Sequence, residues 1–274
     1  MSLGIAFKGP EGIVLAADSR VTLMTQLAGQ NILLPATYDN ATKMLSVSVK
    51  EQTHVGAVTY GVGALGGAEP RTAHSFMPEF EEQLRRENVG RLSVEAFAKR
   101  LSDFFAAQWQ ALPPITPPGA QQPDMAFLVG GYDENQPYGR VFEFFVPNNP
   151  IPRETLPGGQ FGLTWGGQRE YLDRLLRGFD DGLPMAVQQF LKLPDAQRDT
   201  LRQQLTTALS SPIPYQFLPL QDCVDLSIFL IRTTIKLQTW LVGVRGVGGA
   251  IDVATITRIE GFRAIQQKRI VGEA

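Results

Sequence analysis

The chain has 274 residues, of which 43% are hydrophobic and 19% charged, a composition typical of a folded protein with a substantial core. Lysine and arginine number 25 and aspartate and glutamate 27, which gives a net charge of −2. This balance argues against a nucleic-acid-binding surface, because neutralising phosphates requires a clear basic excess. The single cysteine, Cys223, excludes an intrachain disulfide, and together with only two histidines it argues against a Cys/His zinc site.

The sequence shows neither a membrane span nor a signal peptide. Its most apolar segment, residues 226–241, contains Arg232 and Lys236, whereas a spanning helix needs about 20 mostly apolar residues. The first residues, MSLGIAFKGPEG, lack a charged leading segment and reach proline and glycine early. We therefore expect a cytoplasmic protein without membrane association.

The first part of the chain is rich in strand patterns. Two apolar runs, at 2–8 and 13–18, flank a Gly-Pro-Glu-Gly turn and predict a β-hairpin. Residues 21–41 show no clear period and are expected to be an inserted loop. Strands are predicted at 42–49 and 53–60, and a glycine-rich stretch follows at 61–67.

Helices and strands alternate in groups along the rest of the chain. Apolar residues at helical spacing predict helices near 76–84 and 94–104, the second with Ser93 as its N-cap. The five prolines of segment 112–123 indicate a loop within a domain rather than a linker. The remaining predictions are strands at 125–132, 140–146 and 250–256, helices at 167–179, 196–209 and 220–242, and a loop at 148–159.

The order of these elements bears on the fold class. Runs of strands and runs of helices argue against a wound βαβ sheet and favour two sheets covered by helix layers. The fold is therefore predicted to be of the α+β class. We expect one domain over residues 1–274, with insertions at about 21–41 and 180–217.

One block of sequence carries a family resemblance. The stretch GIAFKGPEGIVLAADSRVT, residues 4–22, resembles the N-terminal hairpin of proteasome β-type subunits and their bacterial relatives, which are N-terminal-nucleophile hydrolases. The family's closing run, A-A-D-x-R, is matched at residues 16–20. Looser matches follow in the family's order at Lys43, at Tyr60-Gly61, at 129–134 (VGGYDE) and at 248–251 (GGAI).

The resemblance implies a fold and an activity. The fold would be a four-layer αββα sandwich of two antiparallel sheets, spanning the whole chain. The activity would be that of a peptidase or amidase acting on a polypeptide or amide substrate, with no metal and no organic cofactor. Since the family assembles stacked rings, the resemblance also implies a homo-oligomer.

The same resemblance places the nucleophile. Counting back from Gly12 and Asp18 in the family's register leads to Ser2. A small residue such as serine after the initiator is what methionine removal normally requires, and loss of Met1 would expose a free α-amine on Ser2. An α-amine has an ordinary pKa of roughly 7.7–8.0 and can accept the proton of the hydroxyl near neutral pH.

Other residues receive roles through the family's register. Lys43 would lie beside the hydroxyl and favour its deprotonated form. Asp18 would pair with Lys43 and fix it, and the backbone N–H of Gly61 would bind the oxyanion. The pocket for the residue before the scissile bond, small and without charge, would be lined by Val21, Ala41 and Thr59.

One departure from the family pattern leaves alternatives open. The family has an Asp and a Ser just before its final G-G, where this chain has Val244-Arg245-Gly246-Val247. Asp252 follows the glycines and would need a shift of register. The first alternative is a catalytically inactive scaffold that keeps the fold and the assembly, and the second is an amidase acting on a small metabolite.

Overall fold

The computed structural model describes residues 2–26, 33–66, 69–113, 123–270 and 272. Met1 and most of the predicted proline-rich loop at 112–123 lie outside these residues. The chain divides into two compact units, one formed by Met1–Gly167 and Tyr215–Ala274 and the other by Gln168–Pro214. All the residues of the predicted site belong to the first unit.

The strands of the described chain all lie in the first unit. They are β1 Leu3–Lys8, β2 Ile13–Asp18, β3 Val21–Gln26, β4 Leu33–Tyr38, β5 Met44–Leu45, β6 Val55–Gly61, β7 Met125–Gly131, β8 Arg140–Val146, β9 Asn149–Glu154, β10 Gly162–Gly167, β11 Ile251–Thr257 and β12 Gly261–Gln266. The first unit also holds helices α1 Met77–Arg86, α2 Val94–Ala111 and α6 Leu220–Gln238. The second unit holds α3 Glu170–Arg177, α4 Gly182–Leu191 and α5 Asp195–Leu209.

Two five-stranded sheets dominate the first unit. The first sheet has the order β10-β1-β2-β11-β12 and the second the order β5-β6-β7-β8-β9, while β3 and β4 form a separate pair. The neighbouring strands of each sheet run antiparallel. The predicted α+β class with antiparallel sheets is thereby confirmed.

The sheets and helices of the first unit share their hydrophobic cores. α6 packs against β2 and β11 of the first sheet, and α2 packs against β8 and β9 of the second. Between the sheets lies a cluster that includes Ala6 and Leu15 from the first and Val58 and Leu128 from the second. These contacts are compatible with an α+β sandwich.

The β1–β2 hairpin occupies the middle of the first sheet. All residues of both strands are buried, because the sheet is covered on both faces. This explains the uninterrupted apolar runs, which lack the alternation of a half-exposed strand. The central position of the hairpin fixes Ser2 and Asp18 at the same end of the sheet, where Gly4 pairs with Ala17.

The segment 21–41, which we predicted to be a loop, contains a second hairpin. β3 and β4 pair antiparallel from Val21 opposite Tyr38 to Gln26 opposite Leu33. Leu34 and Tyr38 are exposed, so burial imposes no apolar period on this ribbon. Its pairing depends on backbone hydrogen bonds, which leave little trace in the sequence.

Other boundaries also differ from the prediction. The strand at 250–256 is not the last, because β12 follows it as an edge strand with four exposed residues at its end. The predicted loop at 148–159 contains β9, and the predicted strand at 42–49 is reduced to β5. The helix predicted from residue 167 begins at Glu170, since Gly167 ends β10 opposite Leu3.

No helix in the described ranges is long and apolar enough to cross a membrane.

Candidate active site

The carboxylate of Asp18, at the end of β2, is the centre of the site. The residue is fully buried. Its Oδ1 accepts hydrogen bonds from the Leu3 N–H (2.9 Å) and from Lys43 Nζ (2.5 Å). Its Oδ2 accepts hydrogen bonds from the N–H groups of Gly248 (2.9 Å) and Arg20 (3.1 Å). These donors satisfy the buried charge and connect the start of β1, the residue before β5 and the segment before β11.

Lys43 precedes β5 and is only 5% exposed. Burial lowers the pKa of its ammonium, because the charged form loses its hydration, and the positive charge of Lys268 lowers it further. The charge of Asp18 and the hydrogen bond to it act in the opposite direction, without cancelling the effect of burial. Lys43 is therefore held by one carboxylate and loses its proton more easily than an exposed lysine.

Ser2 lies at the start of β1 and is 3% exposed. Its Oγ accepts a hydrogen bond of 2.8 Å from the Gly61 N–H. The backbone of Ser2 packs tightly against Gly167, where an added Cβ would lie 1.8 Å from the Ser2 carbonyl oxygen. Because Gly167 also has φ +98°, a side chain there would be strained, and glycine permits the close approach of the two strands.

The direction of the N–H at position 61 depends on the residue there being a glycine. Gly61 ends β6 with φ +85°, and a Cβ there would lie 2.3 Å from the carbonyl oxygen of Asp124. The same carbonyl accepts a hydrogen bond of 2.9 Å from the Val62 N–H. The Asp124 carbonyl, just before β7, thus holds the end of β6 in a conformation that points the Gly61 N–H at Ser2.

A narrow cleft brings the predicted residues together. Its walls include Ser2, Val21, Ala41, Lys43, Thr59 and Gly61. The space open to water-sized molecules is about 10 Å³, which is room for about one water. Asp18 is not part of the wall and acts on the cleft through Lys43.

The side chains predicted to line the pocket are uncharged and make the cleft small. Val21 fills the space beside Gly63, where an added Cβ would lie 2.0 Å from Val21 Cγ2. The Thr59 hydroxyl donates to the carbonyl of Ala126 at 3.0 Å. Ala41 is fixed by its N–H, which donates to the Ser19 carbonyl at 2.9 Å.

Arg20, a second charged residue of the cleft wall beside Lys43, is already paired. Its Nε and one terminal nitrogen donate to the two carboxylate oxygens of Asp39 at 2.5 and 2.7 Å. This pairing raises the pKa of Arg20 and lowers the pKa of Asp39, in each case chiefly through the hydrogen bond between them. The Arg20 guanidinium is therefore held by the Asp39 carboxylate.

Gly248 and Gly249, which lie just before β11, have local structural roles. A Cβ on Gly248 would lie 2.4 Å from Arg20 Cζ, and Gly249 has φ +73° with the Asp39 carbonyl oxygen 2.2 Å from an added Cβ. The preceding residue, Val247, is buried and its N–H donates to Gln238 Oε1 at 3.0 Å. The glycines allow this segment to reach Asp18.

A second ion pair near the site, part-buried, was missed by the sequence analysis. Asp252, on β11, pairs with Lys268, whose Nζ also donates to Ser19 Oγ at 3.1 Å. An aspartate inside the apolar strand IDVATIT was a usable signal, because a buried carboxylate needs a partner. No pattern in the sequence indicates that the partner is Lys268.

Comparison with protein-family models found no matching family, and a search of curated proteins found no significant match. Function is therefore inferred from the residues of the site.

Proposed function

We propose that this protein is an N-terminal-nucleophile peptidase or amidase of the proteasome type, with Ser2 as nucleophile once the Met1–Ser2 bond has been cut. The observation that carries the proposal is the sharing of Asp18 Oδ1 by Lys43 Nζ and the Leu3 N–H. This places a cation beside the residue that follows Ser2. A hydroxyl, a cation and a backbone N–H donor thus meet in one cleft.

Activation of the nucleophile follows from these neighbours. A serine hydroxyl is a weak nucleophile and needs a base. The α-amine of Ser2, with an ordinary pKa of roughly 7.7–8.0, accepts the hydroxyl proton near neutral pH. The positive charge of Lys43 disfavours a second cation on that amine and stabilises the developing negative charge on Oγ.

The acyl transfer needs a donor for the carbonyl oxygen, and Gly61 supplies it. Its N–H lies 2.8 Å from Ser2 Oγ, so it is within reach of an oxyanion on the carbon that becomes bonded to Oγ. A donor of this kind is worth about 3–4 kcal/mol of transition-state stabilisation. The Oγ–C bond forms, the C–N bond breaks, and the α-ammonium protonates the leaving amine.

Hydrolysis completes the cycle with the same groups. The α-amine takes a proton from water, and the resulting hydroxide attacks the ester carbon. The C–Oγ bond breaks, the α-ammonium returns its proton to Oγ, and the acid leaves with the Ser2 hydroxyl restored. No oxidant, reductant or cofactor takes part in either step.

The cleft suits a small, uncharged group on the acyl side of the scissile bond. Its walls offer Val21, Ala41 and Thr59, and the guanidinium of Arg20 is paired with Asp39. The proposal extends to a four-layer αββα fold for the first unit and to a homo-oligomeric ring. A chain that sediments as a monomer at micromolar concentration would exclude the ring.

The test of the proposed function compares two serine variants. Purified protein of defined N-terminus is assayed on peptide and simple amide substrates, alongside Ser2→Ala and Ser46→Ala; Ser46 is exposed. We expect Ser46→Ala to keep the activity and Ser2→Ala to lose it. Equal turnover by Ser2→Ala would refute the proposal, and protein lacking Met1 that turns over neither substrate would favour the inactive scaffold.

A further inference from the structure

The segment after β12 returns to the first sheet through Lys268. The backbone N–H of Lys268 donates to Asp252 Oδ1 at 3.0 Å, and the Nζ of Lys268 forms an ion pair with the Asp252 carboxylate. The Nζ also donates to Ser19 Oγ at 3.1 Å. Just before it, Gln266 donates to the Ile251 carbonyl at 2.7 Å. The lysine side chain is 15% exposed and the Asp252 side chain 3%, so the contact is part-buried, with the carboxylate inside.

Ser19, which Lys268 contacts, joins the segments that surround Asp18. It follows Asp18 directly and is fully buried. Its N–H donates to the Gly248 carbonyl at 3.0 Å, and its own carbonyl accepts the Ala41 N–H at 2.9 Å. In the β2–β11 register, Ile251 pairs with Asp18. Lys268 therefore holds a residue whose backbone connects β2, the segment before β11 and a wall of the cleft.

We infer that Lys268 is a positioning residue of the candidate site, which with Asp252 holds Ser19 and thereby fixes the backbone around the Asp18 carboxylate. As a role in catalysis, the inference rests on the proposed function. Its structural part, the ordering of this backbone, stands apart from any reaction.

The charges around the site give the inference a second support. Lys43 is surrounded by Asp18 from β2, Asp252 from β11, Lys268, and Asp39 after β4. Lys268 lowers the pKa of Lys43, whereas Asp252 raises it. The Asp252–Lys268 pair thus brings two opposing charges close to the Asp18–Lys43 pair.

His74 provides an independent reporter of Lys268. It lies in a short turn before α1, and its pKa is lowered first by burial and then by the charge of Lys268. The other histidine, His54, has its pKa lowered first by burial and is influenced by Arg91 and Asp133. NMR titration of the two imidazoles therefore compares a site that senses Lys268 with one influenced by other charges.

The test uses the full chain with Lys268→Met, Lys268→Arg and the double variant Asp252→Asn/Lys268→Met. The double variant removes both charges of the pair, so that no carboxylate is left buried without a partner. Arg269→Met is the matched control, because Arg269 is the exposed neighbour. We expect the two variants with methionine at position 268 to raise the pKa of His74 and to leave the pKa of His54 unchanged. In the two methionine variants we also expect faster amide hydrogen exchange at Ala41 and Gly248. Lys268→Arg should restore the protection of these amides, and Arg269→Met should leave it unchanged.

Hydrolysis separates this inference from the proposed reaction. If Ser2 is the nucleophile, loss of Lys268 should lower kcat by about tenfold or more, the scale expected when reacting groups are misplaced, and Lys268→Arg should recover part of it. Unchanged exchange at Ala41 and Gly248, or unchanged kcat in an active enzyme, would overturn the inference. Faster exchange in a protein that shows no turnover would leave the ordering role established and refute the proposed reaction instead.

Discussion

Asp18 and Lys43 form an ion pair with 2.5 Å between the charged atoms, and their side chains are only 0% and 6% exposed. Moving two charges out of water is costly, and it is tolerated where further hydrogen bonds complete the geometry. Asp18 has them, because three backbone N–H groups donate to it in addition to Lys43. The pair therefore couples the start of β1 to the residues around the cleft.

Removing one partner of this pair should cost much more than removing a surface pair. Asp18→Asn leaves Lys43 buried without its counter-charge, and we expect a loss of about 3–5 kcal/mol in the free energy of unfolding. Asp103→Asn, which breaks the exposed pair with Lys99, should cost less than about 1 kcal/mol. Urea denaturation measures both, and equal losses would contradict this account of the site.

Gly61 should tolerate no side chain. Gly61→Ala must accommodate φ +85° and a Cβ that would lie 2.3 Å from the Asp124 carbonyl oxygen. We expect a destabilisation of at least about 1 kcal/mol, together with loss of hydrolysis. Gly90→Ala is the matched control, since a Cβ at Gly90 meets nothing within 4 Å. Thermal unfolding of both variants would show whether the effect is specific to Gly61.

Val21 should control the size of the accepted acyl group. Because its side chain fills the space beside Gly63, Val21→Ala enlarges the cleft. We expect the ratio of kcat/KM for a large apolar residue over alanine, at the position before the scissile bond, to rise by about tenfold. Val244→Ala, at an exposed position, should leave that ratio unchanged. A ratio unaffected by Val21→Ala would place the acyl group elsewhere.

Cys223 should be inert in the folded protein. It is fully buried, and burial, aided by the charges of Asp222 and Glu11, raises the pKa of its thiol to about 11 from an ordinary 9.0. Iodoacetamide at pH 8 should alkylate it only in denaturant. Rapid modification of the native protein would show that the thiol is accessible.

The same pKa shift predicts a dependence of stability on pH. Between pH 9.0 and about 11 the folded state retains a proton that the unfolded state has lost, so stability falls as the pH rises. The contribution of Cys223 is about 1.4 kcal/mol per pH unit across this window. Urea unfolding at pH 8 and pH 10 should therefore show a smaller decrease for Cys223→Ala than for the parent chain, and parallel decreases would contradict the shift.

The parts of the fold that the sequence predicted are those with buried, patterned residues. The β1–β2 hairpin was predictable because its strands are covered on both faces and are apolar up to their last residues, Lys8 and Asp18. β4 and β12 were missed because most of their described side chains are exposed, so a core imposes no regular apolar pattern on them. Secondary structure is most visible in the sequence where burial selects the side chains.

The candidate site was predicted from the register of the family that the chain resembles and not from a local sequence pattern. Ser2, Lys43 and Gly61 lie far apart in the chain and line one cleft, while their catalytic roles stay predictions. Lys268 could not be predicted, because nothing in the sequence pairs it with Asp252. Such a partner becomes visible only when β11 and the segment after β12 are placed side by side.

The most direct measurement is top-down mass spectrometry of the purified protein before and after treatment with a serine-reactive phosphonate. Our account predicts that Met1 is absent and that a single adduct forms on the Ser2 hydroxyl, which Ser2→Ala abolishes. Protein that retains Met1 throughout, or an adduct that persists in Ser2→Ala, would contradict the claim that Ser2 is an N-terminal nucleophile.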